Sequence, residues 1–140
     1  MPDSNKIPDG FFPAKGRGPF TQHNGPIYRR YTDDRLEVGM LVLERHCNGL
    51  GFLHGGMAAA FADGALAAAV WQANDQASVT MKLSMDYLQP VRRGDWLVTE
   101  PQIVGQSGQI VHVRAELYRS ESQIACQATG VFHLLRRNVN

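Results

Sequence analysis

What the sequence has little of narrows the field first. It holds only two cysteines, Cys47 and Cys126, too few for a disulfide framework or, by themselves, a four-ligand zinc site. Fourteen lysines and arginines nearly balance thirteen aspartates and glutamates, leaving a net charge of +1. No global field therefore recruits nucleic acid or an anionic membrane. Long apolar runs are absent too. The longest, Met57 to Trp71, is broken by Asp63 and Gly64 and is shorter than the ~20 residues that span a bilayer. The opening MPDSNKIPDG is polar and lacks the apolar core of a signal peptide. The expectation is a cytoplasmic protein whose partners are neither nucleic acid nor membrane. The 140 residues, 44% of them hydrophobic, fit one domain with a real core.

Proline is scarce beyond residue 26, where only Pro90 and Pro101 remain. Before it stand Pro2, Pro8, Pro13, Pro19 and Pro26, with Gly10, Gly16, Gly18 and Gly25. Such a density of breakers reads as an irregular arm over residues 1–26, followed by a single domain over 27–140. The arm's Phe11, Phe12 and Phe20 either pin it to the body or roof a binding cleft.

Strand signals dominate the remainder. Leu36, Val38, Met40 and Val42 alternate with Glu37 and Gly39. Val79, Met81, Leu83, Met85 and Tyr87 share one face of a strand, with Thr80, Lys82, Ser84 and Asp86 on the other, as in a sheet buried on one side. Two strands follow near Trp96 to Gly105 and Gln109 to Tyr118, the second with Val111, Val113, Ala115 and Leu117 inward. The last, from about Gln123 to Leu135, sets Ile124, Cys126, Ala128, Phe132 and Leu134 in register. Pro101 inside a predicted strand marks an edge or a bulge. One alanine-rich helix, from about Gly55 to Ala73, interrupts the strands. One or two strands, a long helix, then four strands give an α+β fold: a curved antiparallel sheet of five or six strands around a single helix.

Residues 48 to 63, NGLGFLHGGMAAAFAD, carry the chemistry. A helix start leaves backbone N–H groups unpaired at the positive end of the macrodipole. Gly55 and Gly56 put no side chain over them, which suits an oxyanion on a carbonyl under attack. They would equally permit a tight turn into the helix. Asp63 sits inside the helix among Phe61, Ala62, Ala65 and Leu66, where a carboxylate costs stability unless it is solvated, paired or used. Its functional reading is a base toward water or a nucleophile. His46-Cys47 does not read as a nucleophile pair, because neighbours on a strand point to opposite faces. His46, His54 and Asp63 have no recognised metal spacing, so no metal is expected.

These residues, Asn48, His54-Gly55-Gly56 and Asp63, followed by Val79-Thr80, Tyr87-Leu88-Gln89-Pro90 and Gly94-Asp95, resemble the hot-dog-fold acyl-CoA thioesterases. The types resembled are the PaaI-like and thioesterase-superfamily-member-2 enzymes of the 4-hydroxybenzoyl-CoA thioesterase superfamily. The resemblance covers roughly residues 35 to 135. It implies a thioester carbonyl held by the Gly55 backbone N–H with help from the Asn48 amide, and Asp63 as base or nucleophile. It also implies Thr80 steadying the water or the carboxylate, and His54 as a supporting polar residue. Thr80 lies on the wrong parity for its strand's inner face unless the strand twists or bulges. No cofactor is implied, since coenzyme A belongs to the substrate. Arg92 and Arg93, and the pair Arg136-Arg137, are candidates for its phosphates, or are plain solvated charges.

Three functions stay open: thioester hydrolysis, a hot-dog hydratase or dehydratase acting on acyl thioesters, and a non-catalytic acyl-CoA-binding protein. For the first, helix geometry adds a constraint. Gly55 and Asp63 lie eight residues apart, about 12 Å along a helix, too far to flank one carbonyl. Two copies packed in opposing directions bring the Asp63 of one to the Gly55 of the other. A homodimer or a dimer of dimers, with active sites at the subunit interface, is therefore expected.

Overall fold

The computed structural model describes residues 6–15, 18–119 and 122–136. Pro2, Gly16 and Arg137 of the sequence reading lie outside them. Chain order begins with β1 (Phe12–Pro13), α1 (Pro19–Asn24), β2 (Tyr28–Thr32) and β3 (Arg35–Leu41). After the helix α2 (Gly55–Asn74) come β4 (Ser78–Tyr87), β5 (Trp96–Thr99), β6 (Gln102–Ser107), β7 (Ile110–Arg119) and β8 (Gln123–Leu134).

All pairings are antiparallel, in the order β1-β2-β3-β5-β7-β8-β4, with β6 also on β7. The sheet lays its inner face on α2, the hot-dog arrangement. Among the described residues it has eight strands rather than five or six. The arm contributes β1, which pairs with β2, and the strand expected from Trp96 to Gly105 is two. Pro101 has no N–H for a ladder, so the chain breaks there and β5 and β6 take separate pairings on β7.

Alternation is faithful where β7 crosses the sheet: Val111, Val113, Ala115 and Leu117 are buried and His112, Arg114 and Glu116 between them are exposed. On β8 the pattern slips at its start. A register shift at Leu117/Tyr118 leaves Ile124 only half-buried and buries Ala125 beside Cys126. Ala58, Ala62, Ala65, Ala68 and Ala69 of α2 are buried with Phe61, Leu66 and Val70. Small side chains let the curved sheet close on the helix.

β4 departs from its predicted face. A bulge between Thr80 and Lys82 reverses the alternation, because one extra residue flips everything before it. Leu83 and Met85 pack on the core, while Val79 and Met81 are turned to solvent at 45% and 62% exposure. Thr80 thereby comes to the helix side. Among the described residues β4 is also an edge, paired only with β8. Among the described residues no helix is long and apolar enough to cross a membrane.

Candidate active site

The chain enters α2 through a closed loop. Cys47 bridges to Leu53, the Asn48 N–H donates to the Phe52 carbonyl at 2.8 Å, and the Gly51 N–H to the Asn48 carbonyl at 3.1 Å. Asn48 Oδ1 closes the loop, accepting the N–H groups of Leu50 (2.9 Å) and Phe52 (3.2 Å). Two backbone donors on one atom fix it as the oxygen. The Asn48 amide NH2 has no partner among the described residues.

His54 is the N-cap of α2, and its Nδ1 accepts the Gly56 N–H at 2.8 Å. That nitrogen carries no proton while it does so. A Cβ on Gly56 would lie 3.0 Å from the ring's Nδ1, so glycine is what lets the histidine fold back over the turn. Gly55 is less constrained: a Cβ there would meet the Tyr87 ring at 3.6 Å, an ordinary contact. Its N–H has no acceptor among the described residues, as the first turn of a helix allows. An unpaired Gly55 donor therefore lies beside the capped Gly56 donor.

Two turns along α2, Asp63 Oδ1 accepts the Thr80 hydroxyl at 2.6 Å. The bulge in β4 is what aims Thr80 at the helix, so parity alone misplaces it. Asp63 and Thr80 thus meet, and Asn48, His54 and Gly55 gather at the helix start. The two groups lie at different positions along the same helix within one chain.

Arg92 lies near the group at the helix start. Phe52 bridges to Arg92, the Leu53 N–H donates to the Val91 carbonyl at 2.7 Å, and the Arg92 guanidinium lies 5.3 Å over the Phe52 ring. Arg93 reaches Glu44 at only 3.8 Å between exposed side chains, a weak pair. An open cleft lined by Phe52, Leu53, Gly55, Tyr87 and Pro90 runs beside the helix start. Arg136 leaves β8 at the end that pairs with Ser78, whereas Gly55 and Tyr87 lie toward the Cys126 end.

Two residues carry more of this architecture than the sequence suggests. The Tyr87 hydroxyl donates to the Gly55 carbonyl at 2.7 Å, and burial raises its pKa. It stands in phase with Leu83 and Met85, so the alternation after the bulge does point to it. His46 is 2% exposed. Its Nδ1 accepts the Leu43 N–H at 3.0 Å, its Nε2–H donates to the Asn24 carbonyl at 2.6 Å, and its own carbonyl takes the His54 N–H at 2.9 Å. Burial lowers its pKa, against the opposing pull of the Asn24 carbonyl. It is a structural hub, and nothing periodic in the sequence announces it. Its neighbour Cys47 donates its thiol to the Leu43 carbonyl, and burial raises its pKa, the opposite of what activates a thiol nucleophile.

Residues 50–126 match the Thioesterase superfamily. The Pseudomonas aeruginosa protein PA0474, provisionally named an esterase, is 33% identical over 131 residues, covering 91% of this chain and 97% of its own. Among solved structures, the TT0310 protein from Thermus thermophilus superposes with a TM-score of 0.75 at 26% identity, over 86% of this chain and 100% of that one. BH2602 from Bacillus halodurans, solved with CoA, does so at 0.71 and 27%, over 79% and 74%. By the family match and by this relative at 33% identity, the chain belongs to the Thioesterase superfamily.

Proposed function

We propose that the chain hydrolyses acyl-CoA, or a similar acyl thioester, at sites shared between two copies. The observation that carries this reading is the 2.6 Å bond from Thr80 to the Asp63 carboxylate, which orients one oxygen and leaves the other for a reacting group. Asp63 removes a proton from water as the water attacks the carbonyl carbon, or attacks that carbon itself and is then freed by water. The oxygen that gains charge is held by the unpaired Gly55 N–H and the Asn48 amide NH2. The carbon–sulfur bond breaks, the thiolate leaves, and the acid is released. His54 supports the site by holding the Gly56 N–H. BH2602, solved with CoA, supports coenzyme A as the thiol, and the cleft past Gly55 leads toward Arg92 and Arg93 for its phosphates.

The edge strand β4 supports sharing between subunits. Its free edge exposes Val79 and Met81, and exposed apolar edges invite pairing. Antiparallel pairing of β4 with its own copy about the strand's middle sets Thr80 opposite the partner's Met85, two residues from the partner's Tyr87. Thr80 holds Asp63 and Tyr87 holds Gly55, so the base of one copy meets the oxyanion donor of the other. A dimer, alone or paired into a tetramer, is the active form.

The hydratase alternative needs a histidine over the substrate, but His54 Nδ1 is spent on Gly56 and both ring nitrogens of His46 are engaged. The test runs thiol release from an acyl-CoA panel beside hydration of an enoyl-CoA. Thiol release without hydration supports hydrolysis; hydration without thiol release overturns it.

A further inference from the structure

Tyr87 ends β4, and the chain just beyond it is fixed. The N–H groups of Leu88 and Gln89 both donate to the Ala125 carbonyl, at 2.8 and 3.1 Å. Little of the Tyr87 ring serves the core, since the residue is 54% exposed. Its ring instead stands over the start of α2, 3.6 Å from where a Cβ on Gly55 would lie. From there the hydroxyl donates to the Gly55 carbonyl at 2.7 Å.

Three successive peptides meet at this point, and they are held differently. The peptide into His54 is held by its N–H, which donates to the His46 carbonyl at 2.9 Å. The peptide from His54 to Gly55 is held by its carbonyl, which accepts the Ala58 N–H at 3.0 Å. Its own N–H is the unpaired Gly55 donor. The peptide from Gly55 to Gly56 is clamped at both ends: its carbonyl accepts from Tyr87, and its N–H donates to His54 Nδ1 at 2.8 Å. Two adjacent glycines restrain the backbone least. Without the clamp the first turn would fray more readily, and the Gly55 N–H would lose its fixed direction.

We infer that Tyr87 is a positioning residue for the oxyanion donor: with His54 it locks the peptide that follows the Gly55 N–H, so that this N–H is aimed before substrate arrives. The inference rests on the thioesterase reading above. A donor fixed in advance needs no reorganisation as charge develops on the carbonyl oxygen, so the contribution falls on kcat and not on KM. One strand then positions both halves of the chemistry, with Thr80 on Asp63 near its start and Tyr87 on Gly55 at its end.

The test compares wild type with Tyr87→Phe, which keeps the ring and removes only the hydroxyl. Steady-state thiol release is measured on benzoyl-CoA, isobutyryl-CoA and octanoyl-CoA, and amide hydrogen exchange gives a readout independent of turnover. On the fastest substrate kcat should fall by about 10-fold, the scale of one hydrogen bond, with KM within about twofold. The Gly56 amide should exchange about 10-fold faster while the amides of β7 stay as in wild type. A kcat within about twofold of wild type, or a loss confined to KM, overturns the inference and leaves hydrolysis standing. A fall in kcat without faster Gly56 exchange overturns it too, by placing Tyr87 on the substrate. Exchange that quickens equally in β7 marks a merely structural role and overturns it likewise. A wild type that releases no thiol from any of the three substrates overturns the hydrolase reading, and this inference with it.

Discussion

Thr80 donates its hydroxyl to Asp63 over 2.6 Å, although strict alternation from Val79 to Tyr87 would point it away from the helix. The bulge between Thr80 and Lys82 resolves the conflict, and bulges are favoured where a functional side chain must be re-aimed. If the bond steadies the carboxylate during attack, Thr80→Val should lower kcat by about 10-fold, the scale of one hydrogen bond to a charged group. Thr80→Ser should stay within about threefold. Equal kcat for Thr80→Val and wild type in a steady-state assay would remove Thr80 from the site.

Asn48 has two jobs that substitution can separate. Its Oδ1 holds Leu50 and Phe52, and its NH2 is the proposed oxyanion donor. Asn48→Asp keeps the acceptor and loses the donor, whereas Asn48→Ala loses both. Both should lower kcat by about 100-fold, as loss of an oxyanion donor does. Only Asn48→Ala should lower the melting temperature noticeably, through two hydrogen bonds of roughly 1 kcal/mol each. An active Asn48→Asp enzyme would confine Asn48 to holding the loop.

His46 makes folding stability depend on pH. Burial holds its folded pKa below the ordinary value, so the folded state favours the neutral ring. The unfolded chain takes up a proton first as pH falls through about 6.5. Stability from this residue is full above that pH and declines as pH drops toward the lowered folded pKa. Urea unfolding at pH 7.5 and 5.5 should show the advantage of wild type over His46→Gln shrinking at the lower pH. A constant or growing advantage would contradict the neutral, Nε2–H form of His46.

Much of this was legible in the sequence. The span of α2 and the inner face of β7 follow from local patterns, because helix propensity and strand alternation act within a few residues, and the placing of Gly55 at the helix start with Asp63 two turns inside it follows from that span. Other features depend on contacts distant in sequence. The arm's β1 exists only because Arg29 and Tyr28 stand opposite Phe12 and Pro13. The inward turn of Thr80 needs the pairing of β4 with β8, and His46 becomes a hub only once Asn24 is folded against it. The exposure of Val79 and Met81 likewise depends on the bulge and on β4 being the last strand of the sheet.

The central claim, one reaction shared by Asp63 of one subunit and the helix start of another, is tested most directly by mixing two inactive proteins. Asp63→Asn alone should lower kcat for thiol release by roughly 100-fold or more, the scale of a lost general base, and Asn48→Ala should be similarly impaired. After verified subunit exchange, a heterodimer holds one site with both residues intact. Thiol release should then recover to about a quarter of the wild-type rate for an equal, random mixture, since half the dimers carry one intact site of two. A mixture that stays as inactive as its components, or a fully active monomer, would contradict the account.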